Sequence, residues 1–377
     1  MPFIRTRYFI DSPIKATKFL TQTLGFSSTL AQKTIDKARL RVGTNGEIIA
    51  HKSDILQGSI WLTHFTPHYY KQNELVSPIF STSDFALFDK PAKILTHPKG
   101  NFLHKSLLDS IRFFCGNEAQ SVHRLDFETS GAILVARHKK AQIELKNALQ
   151  NRLIYKVYLA KVKGKIHKEC LINAPIIVPT KAQKISGANL SIRSAIDYAT
   201  LESNLDSALD FTLDSAALLN FNQSLDVNDF IVLQKSLQKY LLESKQYIKR
   251  SKPALTFVIP IYFDGTHTFI KAIALTGRTH QIRLHLAHIG HAIQNDFLYG
   301  TSDKVSEQYL DELRLIKSSK ESMAKSSTDF GRICYADKIL ALHSYSLDFF
   351  FESARYKLTT QTPTWWQIDE RLAQNNI

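Results

Sequence analysis

Two short stretches hold most of the side chains able to do chemistry. The first is His123-Arg124-Leu125-Asp126-Phe127-Glu128-Thr129-Ser130-Gly131, followed directly by the apolar run Ala132-Ile133-Leu134-Val135-Ala136. The run reads as a buried strand. Asp126 then sits on a loop at the mouth of that strand, where a rigid sheet tends to carry catalytic groups. Asp126 offers a nucleophile, a base or an ion-pair partner, and Arg124 offers a planar fork for carboxylate or phosphate. A surface turn closed by a local ion pair would use the same residues. The second stretch is Thr276-Gly277-Arg278-Thr279-His280-Gln281-Ile282-Arg283-Leu284-His285-Leu286-Ala287-His288-Ile289-Gly290-His291. A Gly-Arg loop opens a helix whose apolar side is Ile282, Leu284, Leu286 and Ile289. Its four histidines do not repeat the i, i+4 pair that sets two imidazoles on one helix face. With no obvious acidic or thiolate partner, no metal site is expected.

Other elements must position these stretches. Helical spacing predicts a helix over 13–24, with Ser12 as N-cap and Gly25 as stop signal. A second helix starts at Ser27-Ser28, and Lys33, Lys37, Arg39 and Arg41 give its far end a basic face. A turn at Thr44-Asn45-Gly46 and an extended run to Leu62 follow. Residues 67–83 are polar and proline-bearing and read as a linker. A strand begins at Phe85, and helices are predicted over 105–115 and 139–150. The run 152–162 is a strand with interleaved basic side chains. Tyr155 and Tyr158, three apart, should face opposite sides of it, and Tyr155 is the better candidate for plain packing. Strands are predicted over 253–261, 268–274 and 339–347. Between Ser194 and Gln234 there is no Lys or Arg and there are seven acids. The stretch 186–249 therefore reads as a mostly helical acidic insertion.

At 377 residues the chain exceeds one compact core, so two or three units are expected. A formal charge of +14 points to a polyanionic partner, most simply nucleic acid. Three widely spaced cysteines without a CxxC pair suggest neither a disulfide framework nor a zinc knuckle. No apolar run approaches a membrane span and the first residues lack a signal-peptide core, so a cytoplasmic protein without a membrane partner is expected. Asp329-Phe330-Gly331, taken with His123-Arg124, is similar to kinase motifs. Leu125 before Asp126 and the lack of a preceding glycine-rich phosphate loop exclude that chemistry.

Taken together, the motifs resemble those of the RluA-type pseudouridine synthases. His123-Arg124-Leu125-Asp126-x-x-Thr129-Ser130-Gly131 is similar to the family's signature loop, and Lys90-Pro91 with His97-Pro98 to the segment before it. Lys156-x-Tyr158 with Ala160 and Gly164 resembles the second motif, and residues 276–291 the third. Asp296-x-x-Tyr299-Gly300 and Leu342-His343 follow in the family's order. The first residues resemble an S4 RNA-binding domain, with Ala38 where that domain has glycine, Gly43–Gly46 for its turn and Ser59 for its aspartate. The resemblance implies an α+β fold: a mixed, mainly antiparallel central sheet flanked by helices, behind a small S4-like α/β domain. It implies an S4-like domain at 1–66, a linker at 67–83 and a catalytic domain at 84–377 interrupted by the insertion. It implies isomerisation of uridine in structured RNA without metal or cofactor. Asp126 would be the nucleophile, Arg283 its ion-pair partner and Tyr158 the residue stacked on the target base. Arg124 would fill the place of a flipped-out nucleotide. His123, Arg278, His280 and Gln281, with Lys33, Lys37 and Arg39, would contact RNA. A monomer acting on large-subunit ribosomal RNA is the expectation. The alternatives are tRNA as substrate, and a non-catalytic RNA-binding or ribosome-assembly protein.

Overall fold

The computed structural model describes residues 3–65, 72–98, 106–177, 251–318, 335 and 338–368. The acidic stretch 186–249 lies outside the described residues. The chain forms two compact units, Met1–Leu75 with His97–Phe113, and Val76–Thr96 with Phe114–Ile377.

The first unit is a four-stranded antiparallel sheet under two short helical segments. Its strands are β1 (Phe3–Lys15), β2 (Leu40–Val42), β3 (Ile48–Ile49) and β4 (Ile55–Phe65), in the order β1-β4-β2-β3. Along β1, Tyr8 and Ile10 pack on a core that contains Phe19, Leu20, Ile35, Leu56, Ile60 and Leu62. Arg5, Arg7 and Phe9 alternate with them on the exposed side. The helix expected over 13–24 starts late. Ile14 and Lys15 still pair with Leu56 and Ile55, so the strand holds the chain through Ser12. The helical segment begins at Ala16 and passes into a π-helical turn over Phe19–Thr23. Ser12 therefore caps nothing, and Lys15 at the N-cap position supplies no side-chain bond. The second helix, Ser28–Asp36, starts where expected, and Ser27 caps it by accepting the Leu30 N–H at 3.2 Å. It ends before Arg39 and Arg41. Ala38 takes φ +52° and Arg39 N–H closes onto Thr34 O, which is the left-handed helix stop usually given to glycine.

The second unit is built on a ten-stranded sheet. Its strands are β5 (Pro78–Ser81), β6 (Phe85–Lys90), β7 (Gln120–Ser121), β8 (Ser130–Ala136), β9 (Ile154–Lys163) and β10 (Cys170–Asn173). After β11 (Ile176–Ile177) and β12 (Ser251–Lys252), which pair with each other, come β13 (Leu255–Phe263), β14 (His267–Ala274), β15 (Leu342–Phe351) and β16 (Ala354–Thr359). The path is β10-β13-β14-β9-β15-β8-β6-β5, with β16 on β15 and β7 on β8. Among the described strands only the β8–β15 pairing is parallel, so the sheet is mixed and mainly antiparallel as expected. At that pairing Gly131 has φ +110°, and a Cβ there would run into the backbone of Ser344. The glycine of the loop motif is thus what lets β8 and β15 come together. The end of the stretch read as a linker is ordered: Pro78–Ser81 adds to β6 as an edge strand. Helix Lys139–Gln150 covers β8, burying Ala141 and Leu145 with Leu134 and Phe349.

Candidate active site

A cavity of about 600 Å³ opens in the second unit. The Val122–Asp126 loop, β9 and the segment from Ala274 to Arg283 line it. The sheet explains the convergence. The loop feeds into β8, Tyr158 pairs with Ser344 of β15, and β14 leads into helix Gln281–His288.

The backbone around Asp126 is clamped from an earlier part of the chain. Thr96 Oγ1 donates to Leu125 O at 3.1 Å and accepts the Leu125 N–H at 3.2 Å. On the other side Phe127 O accepts the Lys93 N–H at 2.7 Å and the Lys90 ammonium at 3.4 Å. Asp126 is held between these anchors with its side chain 32% exposed, so a ligand can reach it. Lys90 is fully buried and also donates to Pro91 O and Ile94 O, each at 2.8 Å. Burial pulls its pKa down to about 7, against the opposing pull of the Asp126 and Asp89 charges. The sequence pointed to Lys90 only as part of the family-like Lys90-Pro91 segment. Its proximity to the Asp126 loop depends on the β6–β8 pairing.

Arg283 is not salt-bridged to Asp126 as expected. Its Nε and Nη2 bond Asp296 at 2.7 Å each, and its Nη1 lies 2.8 Å from Glu128. The Tyr299 ring lies 5.2 Å from its guanidinium. Burial would lower the Arg283 pKa, but Asp296 and Glu128 overcome it and hold the guanidinium well above its usual value. Asp126 adds a smaller pull of the same sign. Arg283 thus ties the Asp126 loop, through Glu128, to the turn at Asp296, whose Oδ1 accepts the N–H groups of Leu298 and Tyr299.

The side chain facing Asp126 is His280. Its Nε2 is 3.7 Å from Asp126 Oδ1, which is ion-pair range but too long for a hydrogen bond. Its Nδ1 is 2.7 Å from the Tyr299 hydroxyl. With the phenol donating to Nδ1, the imidazole proton sits on Nε2, toward the carboxylate. His280 also adopts φ +56° at the start of its helix. Such left-handed strain in a non-glycine residue tends to persist where a site needs it. The ring, where an RNA contact is expected, lines the cavity and contacts the loop.

Tyr158 is buried, and burial followed by the Asp126 charge raises its pKa, which keeps the phenol protonated. Tyr155 packs with Leu255, Phe257, Ile273 and Leu275 as expected, yet both tyrosines contribute to the cavity wall. Arg124 is exposed at the same wall. Arg278 is half-buried there, and its Nε donates to Pro253 O at 3.0 Å. Lys156, read only as part of a motif, also lines the cavity, and burial lowers its pKa to about 8.

Two of the expected RNA contacts are structural. His123 is buried, its Nε2 accepts the Leu134 N–H at 3.1 Å, and burial with the Lys156 charge pushes its pKa down to about 3. The Nε2 of the ring is committed to the backbone of β8. Gln281 is buried too. Its Oε1 accepts from Thr276 Oγ1 and the Arg278 N–H, and its Nε2 donates to Leu255 O and Thr256 Oγ1. It fixes the Gly-Arg loop to β13. Thr129 lines the cavity, and its hydroxyl is buried with no hydrogen-bond partner among the described residues. Lys33 and Lys37 are exposed and Arg39 half-buried on the first unit. Among the described residues no cluster of His, Cys, Asp and Glu is arranged to hold a metal ion.

Residues 84–288 match the family model described as RNA pseudouridylate synthase. An uncharacterized RNA pseudouridine synthase of Helicobacter pylori strain J99 is 32% identical over 96% of this chain and 97% of its own length. The tRNA pseudouridine(31) synthase of Saccharomyces cerevisiae is 27% identical over 59% of this chain and 45% of its own. Ribosomal large subunit pseudouridine synthase D of Nitrosomonas europaea is 26% identical over 59% of this chain and 49% of its own.

Proposed function

The chain belongs to the RNA pseudouridine synthase family, and on that premise we propose that Asp126 is the nucleophile that isomerises uridines of large-subunit ribosomal RNA. The reaction breaks the N1–C1′ bond of a uridine, turns the uracil and joins C5 to C1′. The proton displaced from C5 goes to a base and N1 gains one, so no electrons are exchanged with a partner. A carboxylate that forms and releases a covalent adduct divides this into two easier steps. The observation that carries the reading is the clamped, partly exposed Asp126 at the cavity wall beside buried Tyr158. Tyr158 would stack on the uracil. Arg124, exposed at the wall, would occupy the position left by the flipped nucleotide. His280 would hold the carboxylate in place. The first unit would serve as an S4-like RNA-binding module, with Lys33, Lys37 and Arg39 at its basic edge.

The test is incubation with unmodified large-subunit rRNA and tRNA transcripts, followed by base-resolved pseudouridine mapping. Wild type should modify rRNA, and Asp126→Ala should modify nothing. Equal modification by both would remove Asp126 from the chemistry. The second reading, a tRNA substrate, is favoured by the similarity to the yeast enzyme, and modification of tRNA alone would establish it.

A further inference from the structure

The outer face of the N-terminal sheet carries an arrangement that the catalytic reading does not use. One row crosses all four strands: Arg7 on β1 opposite Trp61 on β4, Trp61 opposite Arg41 on β2, and Arg41 opposite Ile49 on β3. Arg5 and Phe9 flank Arg7 on the same face of β1. The guanidinium of Arg5 lies 4.7 Å from the Trp61 ring centroid and that of Arg7 5.8 Å. The stack is built in. Trp61 Nε1 donates to Gly43 O at 3.0 Å, and Arg5 donates to Asn45 O at 2.6 Å and Gly46 O at 3.0 Å. Gly46 has φ +67°, and a Cβ there would collide with both Arg5 and Trp61. The acids nearby are Glu47, whose carboxylate takes the Asn45 N–H at 2.9 Å, and Asp11 at the far end of the β1 row.

Cross-strand cation–aromatic pairs also serve stability. Stability does not account for Phe9, which is 69% exposed and buries little in return. A flat sheet face that combines guanidinium groups with the exposed Phe9 ring matches unpaired RNA, whose bases stack on rings and whose phosphates take arginine forks. Duplex RNA offers no open base faces. We infer that this sheet face, and not only the basic helix edge, binds a single-stranded segment of the RNA substrate, with a base on Phe9 and phosphates on Arg7 and its neighbours. The inference rests on the reading that the chain acts on RNA.

The test uses the full chain and a fluorescent oligouridylate of about 12 nucleotides, within the span of small single-strand binders. Affinity is read by anisotropy across a salt series. Arg7→Gln combined with Phe9→Ser alters two exposed side chains, and unchanged circular dichroism and melting temperature show that the unit is intact. The double variant should bind about tenfold or more weakly. Arg7→Gln alone should flatten the salt slope by about 0.7, the value of one single-strand phosphate contact. Binding equal to wild type overturns the inference. So does a loss that appears only in Lys33→Gln with Lys37→Gln, or a probe displaced equally well by duplex RNA. Pseudouridine formation on rRNA transcripts, measured with the same preparations, separates the two readings. Sheet-dependent binding without turnover removes only the enzyme reading, and turnover with sheet-independent binding removes only the surface.

Discussion

Arg283 directs its Nε, Nη1 and Nη2 to Asp296 and Glu128 rather than to Asp126. It acts on Asp126 mainly through the position of the loop, with a smaller direct attraction between the two charges. Glu128→Gln keeps the shape but leaves the buried guanidinium with one carboxylate. Breaking a buried pair in this way typically costs about 3 kcal/mol. Denaturant unfolding should show a loss of that order, with turnover reduced and RNA affinity kept. An unchanged midpoint would contradict the role given to Glu128. Thr129 gives the opposite pattern. Its hydroxyl is buried without a partner, so Thr129→Val should leave stability equal or raise it by about 1 kcal/mol. If the hydroxyl meets the substrate, the same variant should turn over RNA more slowly. Equal kinetics would assign Thr129 to packing alone. Asp126 and Tyr158 were legible because each sits in a contiguous motif. The clamp by Thr96, Lys93 and Lys90 was not, because it joins segments about thirty residues apart through backbone carbonyls, which leave no side-chain pattern.

Local periodicity was enough for the elements that pack one face. Helix Lys139–Gln150 begins and ends where its spacing places it. β1 escaped detection for a physical reason. Phe9 is apolar yet points outward, which breaks the alternation, and the pairing partner β4 begins forty residues after β1 ends. That pairing also delayed the first helix past Ser12. The second helix shows how a departure from pattern becomes a structural cost. Ala38 occupies the left-handed stop position with φ +52°, where a Cβ is strained and glycine is not. Ala38→Gly should raise the stability of the N-terminal unit by up to about 1 kcal/mol, partly offset by the freer unfolded chain. Hydrogen exchange of the amides in Ser28–Asp36 would measure it, and faster exchange would show that the alanine methyl is needed for packing.

Across the molecule, both the charge and the buried titrating groups bear on behaviour with pH. A net charge of +14 was visible at once and fits a polyanionic substrate, whereas the burial of individual histidines required the fold. His123, His285 and His343 are buried in the second unit, and burial lowers their pKa values to about 3, 4 and 4. His285 is bonded to Thr256 Oγ1 and Ala174 O, and His343 to Ser130 Oγ and Thr360 Oγ1. In the unfolded chain each would titrate near 6.5. Below that value the unfolded state binds protons that the folded state refuses. The stability these histidines contribute is complete above pH 6.5 and is lost as pH falls toward 4. Asp89 acts in the other direction. Burial raises its pKa to about 6, so acidification below that value relieves a cost that it carries at neutral pH. Burial raises the Glu128 carboxyl as well, so two carboxyls are set against three histidines, and the histidines stay dominant. The melting temperature of the second unit should therefore fall steadily from pH 6.5 to 4.5. Replacing His343 by Gln should flatten that slope, even where it lowers the melting temperature at pH 7 by disturbing the bonds to Ser130 and Thr360. A slope identical in wild type and variant would mean that His343 already carries its proton in the folded state, with its two hydroxyl neighbours accepting.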